Sequence, residues 1–259
     1  MNRAHENAEG TAGTRFAGKT AVVAGAAGDL GRRLCHALLD EKATVVGIDV
    51  DGAAGERLRT ETRSAGKPFS FERVDIADPG AVTAFARTLD RVDVLINAAG
   101  IIQQASIADT SVEEWDRVLG VNLRGAFLLT KALAPLLGDG AAVVNVSSSV
   151  ALRGGAGWSA YSVSKAGLVA FTKVAAAELA PRCRVNVVCP GPLDTQMPHQ
   201  LLRDHPGKEA VMSELARSSM LGRLGEAQEV VPLCLFLASD DASLVTGATV
   251  VADGGITAW

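Results

Sequence analysis

Three side chains in the stretch SSVALRGGAGWSAYSVSK, residues 148–165, suit proton transfer: the hydroxyl of Ser148, the phenol of Tyr161 and the amine of Lys165. Tyr161 and Lys165 are four residues apart. In AYSVSKAGLVAFTKVAAAEL the apolar residues recur at helical spacing, so phenol and ammonium should share one helix face, one turn apart. A free tyrosine titrates at about 10, too high for a general base near neutrality. An adjacent cation favours phenolate and moves that value toward the working range. Ser148 ends a predicted buried strand, AAVVNVSS, and the C-terminal edge of such strands is where open α/β sheets place their chemistry. A bare YxxxK spacing equally describes an amphipathic tyrosine beside a solvated lysine, so the surrounding elements must decide.

Those elements begin with a βαβ unit. Thr20–Ala24 reads as a strand, GAAGDLG as a tight turn, RRLCHALLDEKA as a helix and TVVGID as a second strand. Gly25, Gly28 and Gly31 let the backbone turn and approach a pyrophosphate at the helix N-terminus, with Asp29 and Leu30 on the same turn. Asp49 ends the second strand eighteen residues after Gly31, where a carboxylate suits a ribose diol. Asp29 brings a negative charge to the phosphate end, and a helix-capping role is the simple reading for it. Just upstream, GTRFAGKT (13–20) matches GxxxxGK[ST] letter for letter. That loop needs a strand before it and a helix after it; here a polar tail precedes and a strand follows, so the match is accidental.

Further along, a polar helix at 53–65 leads to a third strand, FSFERVDI, which contains Asp75 and Ile76. Asp75 suits a cap for the next helix, Pro79–Leu89. The fourth strand, VDVLINAAG, carries Asn97, Ala98 and Gly100, and Val112–Gly138 reads as one long amphipathic helix containing Asn122. A sixth strand, RVNVVCPG, ends in Pro190 and Gly191, with Thr195 following. Residues 197–221 place Pro206 and Gly207 between two short helical patterns, the composition of a lid at about 196–221. EVVPLCLFLAS reads as a buried helix and TGATVVADGG as the closing strand.

Ser148, YSVSK, the Gly-rich turn, NAAG, VNL and PGxxxT occur in the order found in the short-chain dehydrogenase/reductases, which the chain resembles from about Phe16 to Gly255. The resemblance implies Tyr161 as acid/base, Lys165 as the group that holds the nicotinamide ribose and lowers the tyrosine pKa, and Ser148 as the group orienting the substrate oxygen. It implies Asn122 as a fourth catalytic residue that links Lys165 to solvent through a water. Gly25, Gly28, Asp29, Leu30, Gly31, Asp49, Asp75, Ile76, Asn97, Ala98, Gly100, Tyr161, Lys165, Pro190, Gly191 and Thr195 become the cofactor-binding set, with Thr195 on the nicotinamide side. Two departures stand out: Ala24 and Asp29 replace the Thr and central Gly of TGxxxGxG, giving the GxxGxxG spacing of extended members, and Ala98 replaces the second Asn of NNAG. Subunit pairing through the helices at Val112–Gly138 and Ser159–Ala180, giving a homotetramer, is also implied.

The chain's 259 residues, 48% of them apolar, suit one large α/β domain at 15–259 behind a disordered tail at 1–14. A net charge of -4 offers no basic field for nucleic acid, and no apolar run approaches the ~20 residues that span a bilayer. Cys35, Cys183, Cys189 and Cys234 lack CxxC spacing and read as buried thiols in a reducing cytoplasm, and four scattered histidines give no metal site. The expected architecture is a Rossmann-type doubly wound parallel sheet of about seven strands. The expected function is NAD-dependent interconversion of a secondary alcohol and a ketone, on a small molecule of the sugar-acid or polyol kind, with NADP less favoured. The competing reading is a dinucleotide-binding sensor or assembly subunit of the same fold.

Overall fold

The computed structural model describes residues 14–258. Residues 1–13, most of the expected tail, lie outside the described residues. The strands are β1 (Thr20–Ala24), β2 (Thr44–Asp49), β3 (Phe69–Arg73), β4 (Val92–Asn97), β5 (Leu137–Val146), β6 (Cys183–Pro190) and β7 (Thr249–Ala252). They form one seven-stranded sheet in the order β3-β2-β1-β4-β5-β6-β7, and every pairing is parallel.

Parallel neighbours need long crossovers, which here are helices on both faces, so the central strands are apolar throughout. In β1, Ala21 and Val23 join one core while Val22 and Ala24 join the other. The first core takes Leu34, Cys35 and Leu38 of α1 (Asp29–Asp40), Leu58 of α2 (Gly52–Ser64) and Val230, Cys234 and Leu237 of α10 (Ala227–Ala238). The second takes Val82 and Phe85 of α3 (Pro79–Ala86), together with Leu129, Leu133, Ala175 and Ala176. Strand order reverses between β1 and β4, and the C-terminal ends of those strands open the crevice in which such sheets bind ligands. Lys19, the lysine of the P-loop-like string, precedes β1 and pairs with Asp240 at 3.0 Å.

The helix expected over Val112–Gly138 is interrupted. It runs as α4 (Val112–Leu119), a π-helical turn over Gly120–Gly125, and α5 (Ala126–Leu133), ending in a short tight turn at Ala134–Leu136. The π turn inserts one residue into the helical repeat, which a periodicity count absorbs without showing a break. β5 then starts at Leu137, earlier than expected, because Leu137 pairs with Val92 before the register shifts between Val92 and Val94. The third strand ends at Arg73, so Asp75 and Ile76 lie in the turn beyond it.

The four cysteines are buried free thiols, and burial raises all of their pKa values from the usual 9.0, to about 11 for Cys183 and about 12 for Cys234. Above pH 9.0 the unfolded chain loses thiol protons that the folded chain keeps, so this stability, fully present below 9.0, drains away as pH rises toward the folded values. The slope is about 1.4 kcal/mol per pH unit for each thiol. Lys165, lowered by burial from 10.5 to about 8, works in the opposite sense over that interval, one group against four. Melting temperature is therefore expected to fall steeply above about pH 9, and more gently in Cys234→Ala; equal slopes in the two proteins would exclude this thiol as a cause.

Candidate active site

After the one-turn helix α6 (Val150–Arg153), helix α7 (Ser159–Leu179) begins at the C-terminal edge of the sheet and carries Tyr161 and Lys165 on its buried face, only 9% and 4% exposed. Two bonds fasten it to the end of β5: Lys165 Nζ donates to the Val146 carbonyl at 2.9 Å, and Ser147 Oγ donates to the Lys165 carbonyl at 2.8 Å. The Lys165 ammonium stands 5.9 Å from the centre of the Tyr161 ring. Ser148, the next residue, sits beside the phenol. One strand end and one helix therefore bring together the hydroxyl, phenol and amine of the sequence pattern.

The electrostatics differ from the expected cation-lowered tyrosine. Burial pushes the Tyr161 phenol upward, and the Ser148 hydroxyl draws it part of the way back. Burial lowers the Lys165 ammonium to about 8, with Cys189 acting against that shift, and the ammonium donates to the Val146 carbonyl.

Asn122 lies in the π turn and is 1% exposed. Its Oδ1 accepts from Ile101 N at 2.8 Å, while Nδ2 donates to Ile101 O at 2.9 Å and to Ser164 Oγ at 3.1 Å. The side-chain amide is thus taken up in fastening the loop after β4 to α7. Gly100 begins that loop, and a Cβ there would come within 3.3 Å of Lys165 Nζ and 3.4 Å of Asn122 Oδ1. A bare backbone at Gly100 lets lysine and asparagine converge.

The Gly-rich turn adjoins this cluster at the sheet edge. Gly28 is the N-cap of α1 and no side chain caps the helix, so the amides of its first turn, Asp29, Leu30 and Gly31, are free of side-chain partners. A Cβ on Gly28 would meet only the Gly25 oxygen, at 3.4 Å, so a phosphate can approach the turn. The capping reading of Asp29 is corrected: Asp29 is the first helical residue, and its Oδ2 accepts from Gln196 N at 2.6 Å. Its carboxylate is turned away from the helix amides toward the start of α8 (Gln196–Leu201). Asp49 accepts from Ala27 N and Asp51 N, each at 3.0 Å, which fixes its carboxylate at the end of β2 with lone pairs to spare.

The remaining predicted residues divide. Asp75 is exposed and accepts from Ala77 N at 2.9 Å, as a turn residue does, while Ile76 is buried against Gly125. Asn97 points into the sheet: its Nδ2 donates to Asn145 Oδ1 at 2.8 Å, and Asn145 donates in turn to Thr172 Oγ1 at 2.9 Å. Asn97 therefore ties β4 to β5 and Asn145 ties β5 to α7, while Ala98 packs on the first core. Pro190 ends β6 and Gly191 follows it, where a Cβ would press on Asp253 Cα at 2.8 Å. Thr195 is the N-cap of α8 with its hydroxyl making no cap bond. Beyond it, α8 and α9 (Lys208–Arg217) form the segment expected as a lid, pinned at its base by Asp194 N to Gly225 O at 2.8 Å and Gly225 N to Pro192 O at 3.0 Å.

Several contributors carry no sequence signal. Arg73, opposite Asp49 in the β2–β3 register, donates from Nε to Val50 O at 3.1 Å and lines a pocket with Val50 and Asp75. Ser147 and Cys189 pack beside Lys165. All three read as ordinary strand residues, because alternation reports which face a side chain takes and not what it meets there. Among the described residues no group of three or more His, Cys, Asp or Glu could hold a metal, and no helix is long and apolar enough to cross a membrane.

The family model described as enoyl-(acyl carrier protein) reductase matches residues 25–257. Cyclopentanol dehydrogenase of Comamonas testosteroni is 38% identical over 247 residues, covering 93% of this chain and 97% of the relative. A 3-oxoacyl-(acyl-carrier-protein) reductase of Thermotoga maritima is 34% identical over 249 residues, covering 93% and 99%. The crystal structure of a short-chain dehydrogenase/reductase, titled glucose/ribitol dehydrogenase, from Brucella melitensis superposes with a TM-score of 0.87 at 30% identity over 94% of this chain and 98% of that one. With a seven-stranded parallel sheet, a Gly-rich turn and a Ser, Tyr and Lys cluster at the sheet edge, the chain belongs to the short-chain dehydrogenase/reductase family of NAD(P)-dependent oxidoreductases.

Proposed function

We propose that the chain interconverts a secondary alcohol and a ketone, with Tyr161 as the acid/base. The observation that carries this reading is the convergence of Ser148, Tyr161 and Lys165 at the end of β5, beside a Gly-rich turn whose helix amides have no side-chain cap. That turn and the Asp49 carboxylate fit a dinucleotide, which when bound supplies the hydride acceptor or donor. In the oxidation direction the Tyr161 oxygen takes the proton of the substrate hydroxyl, while Ser148 hydrogen-bonds the same oxygen and sets its angle. Lys165, held by Val146, offsets the negative charge that appears on the phenol. Burial of both groups keeps bulk water from that proton and strengthens the attraction between them.

The names of the relatives support an alcohol or ketone substrate. Cyclopentanol, an oxoacyl chain and ribitol are different molecules, but each enzyme so named works at a carbinol or a ketone. α8 and α9 are the lid of the substrate side. Apolar Phe127, Val163 and Val174, exposed on α5 and α7, support pairing of these helices in a homotetramer, and four buried thiols suit a reducing cytoplasm.

NAD is the expected cofactor. Asp49 can accept hydrogen bonds from both adenosine ribose hydroxyls, whereas a 2′-phosphate would meet its charge at short range. Arg73 is the nearby cation able to offset that repulsion, but its Nε is engaged by the Val50 carbonyl. A panel of secondary alcohols and ketones, run with each dinucleotide and followed by nicotinamide absorbance, tests both statements. kcat/KM is expected to favour NAD by about tenfold or more, ~1.4 kcal/mol, and Asp49→Ala should narrow the gap. Equal use of the two cofactors would assign the adenosine end to Arg73. Tight dinucleotide binding with no turnover across the panel would favour the sensor reading.

A further inference from the structure

Asp29 puts a carboxylate on the turn that has to receive a diphosphate. Like charge at short range opposes that binding, so the residue is out of place there unless it serves another contact. Its Oδ2 accepts from Gln196 N at 2.6 Å, across 167 residues of chain. The bond is short and its acceptor is charged, the stronger class of hydrogen bond.

Gln196 is the first residue of α8, and the amides of a helix's first turn have no partner inside the helix. A threonine at the N-cap ordinarily answers one of them. Thr195 holds that place with extended backbone, φ -137° and ψ 171°, yet its side chain makes no cap bond. The start of α8 is instead served from another element, by the first residue of α1. The backbone bonds on the same side of the lid, Asp194 N to Gly225 O and Gly225 N to Pro192 O, run to the loop before α10. Asp29 is what ties the lid to the Gly-rich turn.

We propose that Asp29 is a positioning residue for the dinucleotide: by holding Gln196 it docks the start of the lid on the turn that receives the diphosphate, and release of the cofactor requires that bond to open. This rests on the dinucleotide site described above and is independent of the alcohol substrate. The same bond keeps the carboxylate off the α1 amides, which stay open to the diphosphate.

Two substitutions remove the bond from opposite ends. Asp29→Ala deletes the acceptor. Gln196→Pro deletes the donor and keeps α8, because proline suits the first helical position and the extended backbone of Thr195 suits a residue before proline. Two rates are read without turnover: tryptic cleavage at the exposed Arg203 of the lid in protein free of dinucleotide, and stopped-flow dissociation of NADH or NADPH, whichever the wild type binds. Each single variant is expected to speed both rates by about tenfold, the weight of one hydrogen bond to a charged group. The double variant should be no faster than either single, since both ends belong to one bond. A purely repulsive carboxylate gives another pattern, in which Asp29→Ala holds the dinucleotide longer and Gln196→Pro changes nothing. That pattern, unchanged lid cleavage in either folded variant, or additive effects in the double, overturns the role of Asp29 and leaves the dinucleotide site standing. Should one variant fail to fold, the other decides by the direction of both rates. A wild type that binds neither dinucleotide overturns both.

Discussion

Tyr161→Phe is expected to lose turnover while keeping the fold and dinucleotide binding. The substitution deletes one oxygen from a side chain already buried against Ser148, so little packing changes, yet that oxygen is where the proton arrives. General acid/base catalysis contributes about 10²–10⁴-fold, and kcat should fall by that order. Retention of more than about a tenth of wild-type kcat, less than ~1.4 kcal/mol of barrier, would remove Tyr161 from the role. Tyr161 is the only tyrosine of the chain, so its phenolate absorbance can be titrated without interference from another phenol. In the protein without added dinucleotide the midpoint should lie above the ordinary 10.0, since burial outweighs the Ser148 hydrogen bond.

The second large effect belongs to Gly31. A Cβ there would run into the Gly25 carbonyl, with the carbonyl carbon at 2.6 Å and Ala26 Cα at 3.0 Å, all backbone of the same turn. Side-chain rotation cannot relieve such a collision, so Gly31→Ala should destabilise by at least ~2 kcal/mol, a fall of about 4 °C or more in Tm for a domain of this size. Gly28→Ala makes the contrast. Its Cβ meets nothing closer than 3.4 Å, so Tm should stay close to wild type while dinucleotide affinity falls, because the methyl group occupies the approach to the α1 amides. Calorimetry of both variants with and without dinucleotide separates the two effects. Similar Tm losses would mean that the glycines share one packing role.

Much of this was legible from residue order. The βαβ unit and the apolar strands follow from periodicity, because a strand buried on both faces has few alternatives, and a four-residue interval places Tyr161 and Lys165 on one helix face; that Ser148 joins them was implied by the resemblance. Asp29 was misread because Asp at a helix start ordinarily caps it, whereas here the backbone of Gln196, distant in sequence, claims the carboxylate. Asn97 shows the same limit, since its motif position points to the crevice and only three-dimensional pairing reveals Asn145 as its partner. The charge state of Tyr161 also depends on where Lys165 points, and that is set by the carbonyl at the end of a separate strand.

The π turn at Gly120–Gly125 has a further consequence in the grammar of insertions and deletions. Each α-helical residue advances the chain by about 100° around the axis. Removing one residue from this turn would restore an unbroken α-helix on paper, and by local propensity it would look harmless. Because the turn is itself a one-residue insertion, the deletion would leave Leu129 and Leu133 facing their core, but it would re-aim the residues inside the turn and part Asn122 from Ile101. The irregular turn is therefore a count that must be kept: redesign that smooths it away would spare the wall of the core and lose the fastening of the loop after β4.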